Sequence, residues 1–275
     1  LKWILAARKI LVSVIARDEA IQVHDKQSAG SLHASRWQDQ QANNSGNQRI
    51  CVFSKGWPGS VAVGIAAWTL GIPLYIHESD TIPWRSNQIL GKFATKIFLG
   101  FESARKYFDA KKCEIIWQIL SPIFSNKSTH GSILWKTDKK HILVICGSQW
   151  AKSIFEAIIT QFEKSEEYEW IIALGKLNTD MKKSFEKMQD VQAIEWLTQE
   201  DIVSLLQYTD LAITRGSATT LAEIDLFGVK KIIIPLPFSW GNHQYWNARE
   251  YEKKWDILLG QKDLQKLTET IRQYV

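Results

Sequence analysis

The residues best suited to chemistry are the run Thr214-Arg215-Gly216-Ser217-Ala218-Thr219-Thr220, the carboxylate Glu223 after it, and Gly241-Asn242-His243-Gln244-Tyr245-Trp246-Asn247-Ala248. The stretch 210–213 leads into the first segment and small hydroxyl residues then open a helix, so the pattern reads as strand, turn and helix N-terminus. Such a terminus presents unbonded backbone N–H groups and partial positive charge, which suits a phosphate. Glu223, expected in the first turn of that helix, is a hydrogen-bond acceptor for sugar hydroxyls. Ser and Thr also open helices simply as caps, so this pattern takes its meaning from its neighbours.

Two neighbours matter. Gly147-Ser148-Gln149 follows the continuous apolar run 141–146, and Lys55, Gly56, His77 and Glu78 fall where strands of the first half should end. Loops after parallel strands converge on the carboxyl edge of the sheet, where ligands bind. Loops 147–149, 215–220 and 239–244 therefore share one crevice, with chemistry for a diphosphate carrying a sugar at each end. Hydroxyls and helix starts suit the phosphates, Glu223 a ribose, and the Gln244 amide a hexose. His77 and Glu78 also have a structural reading, as a satisfied core histidine and a helix cap. No GxGxxG or GxxxxGK[ST] run occurs, and no His, Asp and Glu spacing suggests a metal.

The elements that must position these groups alternate. Residues 50–53 read as a strand, 61–70 as a helix, 73–77 as a strand, 86–98 as a helix, 98–101 as a strand and 102–108 as a helix. After an aperiodic stretch come strands at 141–146, 170–174, 191–196, 211–213 and 231–235. Helices are expected at 151–162, 181–188, 199–206, from 217, and at 242–255 and 264–274. This alternation predicts an α/β protein with two doubly wound parallel sheets. The expected division is an N-terminal domain over 1–120, a linker over 121–140 and a C-terminal domain over 141–275. Residues 1–17 suggest a core or interfacial helix and 17–49 a polar loop. The basic stripe around Lys92 and Lys96 suits the core or an anionic membrane surface.

Composition narrows the class. The 275 residues are 45% hydrophobic and 23% charged, as in a globular protein, and a net charge of +5 tilts toward acidic partners. Three scattered cysteines, Cys51, Cys113 and Cys146, make neither a disulfide framework nor a zinc site. No run of ~20 apolar residues suggests a membrane-spanning helix. Tryptophan is abundant, with 13 against only 15 glycines.

Four segments taken together, 77–83 (His77-Glu78-Ser79-Asp80-Thr81-Ile82-Pro83), 147–149, 215–223 and 243–248, resemble the MurG family from about Ile50 to the end. That resemblance implies a GT-B fold of two Rossmann-like domains, the first incomplete. It also implies an inverting glycosyltransferase that moves N-acetylglucosamine from UDP-GlcNAc to lipid I in peptidoglycan synthesis, without metal or cofactor. The implied partners are UDP-GlcNAc, lipid I and the anionic inner-membrane surface, not nucleic acid, with a peripheral location on the cytoplasmic face of the cell membrane. Ser148 and Gln149 are then expected at the diphosphate or sugar, Thr220 at the phosphate, Glu223 on the ribose and Gln244 on the donor sugar. Arg215, Ser217 and Asn247 join the substrate-binding set, and His77, Glu78 and Asn87 fall on the cleft side of the first domain.

The sequence also departs from that family. The Gly-rich loop of type GGTGGH is absent, residues 1–49 align with nothing, and Phe124 stands where a basic residue is expected. The chain, beginning at Leu1, therefore reads as a fragment or processed product. Trp57, Trp84 and Trp150 stand where the family prefers Gly, implying a degenerate enzyme or a reassigned stop codon read as glycine. The alternatives in function are another GT-B enzyme, such as a glycolipid glycosyltransferase or UDP-sugar epimerase, or a non-catalytic nucleotide-sugar-binding chain.

Overall fold

The computed structural model describes residues 50–126, 129–147, 150–162, 167–252 and 256–274. The expectations for residues 1–49, and for Ser148 and Gln149, lie outside the described residues. The chain divides into two compact units with the boundary at Pro122 and Ile123.

The first unit is built on a four-stranded parallel sheet in the order β1-β2-β3-β4, formed by Val52–Ser54, Leu74–Glu78, Lys96–Leu99 and Cys113–Ile115. Helices α1 (Ser60–Thr69) and α2 (Arg85–Gly91) make the crossovers after β1 and β2. Leu74, Ile76, Ile97 and Leu99 alternate along their strands into one core with Leu90 and Ala104. That period of two explains a correction. The helix expected over 86–98 stops at Gly91, because Ile97 and Leu99 are strand residues paired to β2. The expected helix over 102–108 is a 3-10 turn, Glu102–Tyr107.

The second unit holds a six-stranded parallel sheet in the order β10-β9-β8-β5-β6-β7. Its strands are β5 (Lys140–Ile145), β6 (Tyr168–Ala173), β7 (Val191–Ile194), β8 (Leu211–Thr214), β9 (Lys230–Ile233) and β10 (Ile257–Leu258). Its helices are α3 (Lys152–Gln161), α4 (Lys182–Phe185), α5 (Gln199–Leu206), α6 (Ala218–Asp225), α7 (His243–Glu252) and α8 (Leu267–Tyr274). The continuous apolar run of β5 follows from burial on both faces. Ile142 and Val144 enter one core with Ile213 and Phe155, while Leu143 and Ile145 enter another with Ala212 and Val203.

Residues 123–126 and 129–139, expected to connect the domains, are fastened to this second unit. Phe124 is buried in its core with Leu143 and Leu197. Glu169 accepts the backbone N–H of Lys136 at 3.0 Å and of Thr137 at 2.9 Å. Asp201 Oδ1 accepts from Ser132 N at 2.7 Å and Ile133 N at 3.1 Å, and Gly131 approaches so closely that a Cβ there would lie 2.5 Å from Asp201 Cα. The other carboxylate oxygen closes a capping box with Thr198 at the start of α5. Asp201→Ala strands these donors and should cost about 3 kcal/mol, read as a lowered denaturation midpoint. Burial pushes the Asp201 carboxyl up, but hydrogen bonds from Thr198, Ile133 and Ser132 outweigh it and hold the pKa below the ordinary 3.8. A carboxyl lowered on folding stabilises the protein above its unfolded value. Wild type should lose this contribution as pH falls through the lowered folded value, and the variant should not.

Candidate functional site

The site is built where β8 and β9 end. Thr214 Oγ1 donates to Ile145 O at 2.7 Å, tying the end of β8 to β5. The chain turns at Arg215 and Gly216 into α6, with Ser217 at the N-cap in extended conformation and the first helical bond from Leu221 N to Ser217 O at 2.9 Å. The Ser217 side chain makes no cap bond, and no described residue accepts from the N–H groups of Ala218, Thr219 and Thr220. Three donors at the positive end of the helix are thus left open at the carboxyl edge of the sheet.

Glu223 lies in the second turn of α6, not the first, because the helix begins at Ala218. It is partly buried, and no described residue bonds its carboxylate. Burial pushes its pKa up to about 7. A partly buried carboxyl without a protein donor suits a ligand that brings hydroxyls.

Gln244 enters from the first turn of α7. Its Oε1 accepts from Leu236 N at 2.9 Å, which fixes the amide so that Nε2 points away as a free donor among the described residues. Gly216 joins the two helix starts, since a Cβ built there would lie 2.2 Å from Gln244 O. Gly216→Ala must push α7 off α6 and should cost about 1–3 kcal/mol while displacing Gln244, measurable as a lower melting temperature.

Two residues of the expected substrate-binding set, Arg215 and Asn247, are internal. Arg215 is buried. Its Nη1 donates to Ile234 O at 3.1 Å and Gln261 Oε1 at 2.9 Å, and its Nη2 donates to Trp150 O and to Ser153 Oγ at 3.4 Å. From the end of β8 the guanidinium is a strut to the segments that follow β5, β9 and β10. No sequence signal marked Gln261 or Ser153 as its partners. Asn247 is fully buried and donates to Gly216 O at 3.1 Å, which braces the turn into α6. Phe124 lies in the core, so the basic donor contact expected at that position has no counterpart there.

The first-unit candidates are likewise internal. His77 is 0% exposed, with Nε2 3.0 Å from Trp117 O, and burial lowers its pKa to about 4. It stays neutral, with its proton on Nε2. Glu78 Oε1 accepts from Asp80 N at 3.0 Å, and Oε2 accepts from Asn87 Nδ2 at 2.8 Å and Trp84 N at 3.3 Å. Burial raises its pKa to about 7 against those bonds. Asn87 is fully buried against Gly56, whose φ is 99°. This network shapes the loops after β1 and β2 and presents none of the three to a ligand.

The described residues hold no cluster of three or more His, Cys, Asp and Glu able to bind a metal, and no helix long and apolar enough to cross a membrane.

Comparison with known proteins places the chain in a family. Residues 44–99 match the glycosyltransferase family 28 N-terminal domain and residues 141–275 its C-terminal domain. A UDP-N-acetylglucosamine--N-acetylmuramyl-(pentapeptide) pyrophosphoryl-undecaprenol N-acetylglucosamine transferase of a Sulfurihydrogenibium species is 32% identical over 75% of this chain and 58% of that protein. One of the same name from Thermosipho melanesiensis is 35% identical over 77% and 59%. The chain thus spans somewhat over half the length of these relatives. Among solved structures, Acinetobacter baumannii MurG superposes with a TM-score of 0.64 at 22% identity, covering 88% of this chain and 70% of that one. A UDP-GlcNAc 2-epimerase from Neisseria meningitidis bound to UDP-GlcNAc gives 0.61 at 13%, covering 87% and 72%. The shared fold is two parallel-sheet α/β domains of the GT-B type. Matched by both domain models in order, this chain belongs to glycosyltransferase family 28.

Proposed function

We propose that the second unit binds UDP-GlcNAc and that the protein transfers its N-acetylglucosamine to lipid I in peptidoglycan synthesis. The observation that carries this reading is the combination at one sheet edge of three open N–H groups at α6, a partly buried carboxylate without a protein donor, and the free amide of Gln244. In the proposed complex the diphosphate meets the start of α6 near Ser217 and Thr220, the ribose hydroxyls donate to Glu223, and Gln244 Nε2 meets the hexose. The acceptor hydroxyl attacks the anomeric carbon from the face opposite the phosphate. The bond from that carbon to the diphosphate oxygen breaks, and the charge left on UDP is stabilised by the helix N–H groups and dipole. A base takes the acceptor proton. His77 does not fit that role, since its one unprotonated nitrogen, Nδ1, is buried within the first unit.

The first unit is proposed to rest on an anionic membrane at the cytoplasmic face, through exposed Phe53, Val63 and Ile89 and the exposed cations Lys55, Arg85 and Lys92. The relatives' names support a transferase, whereas the likeness to the epimerase extends to fold alone. Incubation with labelled UDP-GlcNAc and a lipid I analogue decides between them. The proposal expects a lipid carrying labelled N-acetylglucosamine. Release of UDP-ManNAc would instead mark an epimerase, and tight UDP binding without turnover a binding chain.

A further inference from the structure

Four non-glycine residues among those described hold a positive φ: Asp190 at 60°, Asn242 at 57°, Trp117 at 63° and Trp150 at 63°. Asp and Asn tolerate this region because a short polar side chain hydrogen-bonds locally. An indole gains nothing there and sets its Cβ against the following carbonyl. Neither tryptophan is compensated by packing, with Trp117 65% and Trp150 67% exposed. Yet each backbone is put to use. Trp117 O lies 3.0 Å from the buried His77 Nε2, and Trp150 O accepts from the buried Arg215 Nη2.

Other tryptophans use their rings. Trp135 Nε1 donates to Leu205 O at 3.3 Å and its ring stacks on His141, while Trp170 is buried against Phe162. Composition agrees with two kinds of tryptophan. There are 13 Trp and 15 Gly in 275 residues, where ordinary usage of about 7% would give roughly 19 Gly.

We infer that positions 117 and 150 are glycine in the native protein, their triplet being a reassigned stop codon read as glycine, while Trp135 and Trp170 are true tryptophans. Glycine adopts the left-handed conformation freely, and so delivers the two carbonyls without strain. Positions 117 and 150 are thereby positioning residues, one for His77 and one for Arg215. Trp57 and Trp84 fall outside the inference, since neither has a positive φ. At 150, glycine also removes an exposed indole from the loop opened by Gly147, whose φ is 74°. The expected gain in ligand binding rests on the proposed donor site, whereas the identity of the residue does not.

The test is mass-spectrometric sequencing of tryptic peptides 113–127, 128–136, 141–152 and 165–176 from protein purified out of its native cell. Glycine is expected at 117 and 150 and tryptophan at 135 and 170. Tryptophan at 117 or 150 overturns the inference. In recombinant protein, W117G and W150G should each raise the melting temperature by about 2–4 °C, and no rise in either would contradict the strain argument. W150G should also tighten UDP-GlcNAc binding by about tenfold or more, whereas W117G should leave it unchanged. Glycine in the peptides with no gain in affinity for W150G would leave the inference standing and count against the donor site.

Discussion

Arg215→Met should cost about 3–5 kcal/mol of stability and abolish measurable UDP-GlcNAc binding, though Arg215 touches no ligand in the proposed complex. The guanidinium donates to Ile234 O, Gln261 Oε1, Trp150 O and Ser153 Oγ, partners on the segments that follow β5, β9 and β10. Burial lowers its pKa, so the cation is held at a desolvation cost that these acceptors help to offset. Methionine keeps much of the volume and leaves the carbonyls of Ile234 and Trp150 without their donor. Arg215→Lys retains the charge but not the planar fork, so it should recover part of the stability and little of the binding. Chemical denaturation and calorimetric titration of the two variants check both halves. Normal binding by the methionine variant would show that the strut is not needed.

Glu223→Gln should weaken UDP-GlcNAc binding by about ten- to hundredfold above neutral pH, the loss of about 1.5–3 kcal/mol expected for a charged acceptor. Burial raises the Glu223 pKa to about 7 from its ordinary 4.5, and hydroxyl donors favour the ionised form. Wild-type affinity should therefore rise as pH increases through about 7, and the glutamine variant should lack that rise. The diphosphate diester of UDP-GlcNAc does not titrate in this range, so the step reports on the protein. Stability should run the other way. A carboxyl whose folded pKa lies above its unfolded value stabilises fully below the unfolded value and loses that contribution as pH rises through the folded one. Above about pH 7 the glutamine variant should accordingly be the more stable protein and the weaker binder, a trade expected at binding sites. Thermal unfolding at acidic and alkaline pH measures it.

Legibility of these features in the sequence followed physical scale. The central strands were readable because a parallel strand buried on both faces must be apolar throughout, as Ile142 to Ile145 are. Helix α5 spans Gln199–Leu206 as expected, and a capping box of Thr198 and Asp201 fixes its start. The two- and three-residue strands β10 and β4 are too short to show a period. The boundary between α2 and β3 was lost because apolar residues of a helix and of the next strand abut. Glu223 and Gln244 stand out by type and place, and the Glu223 carboxylate and Gln244 Nε2 have no partner among the described residues. Arg215, Asn247, His77, Glu78 and Asn87 were equally polar and equally near strand ends, yet they turn inward. Whether a polar side chain at a strand end faces ligand or braces a loop depends on which carbonyls and N–H groups the tertiary fold leaves unpaired, and spacing carries no record of that.

The central claim is that the donor nucleotide sits where β8 and β9 end. Backbone hydrogen exchange of the protein with and without saturating UDP-GlcNAc tests it most directly. Exchange should slow at residues 217–221 and 243–245 and stay unchanged in β6 and α5. Protection confined to β6 and α5, or none at 217–221 despite saturation, would contradict the account.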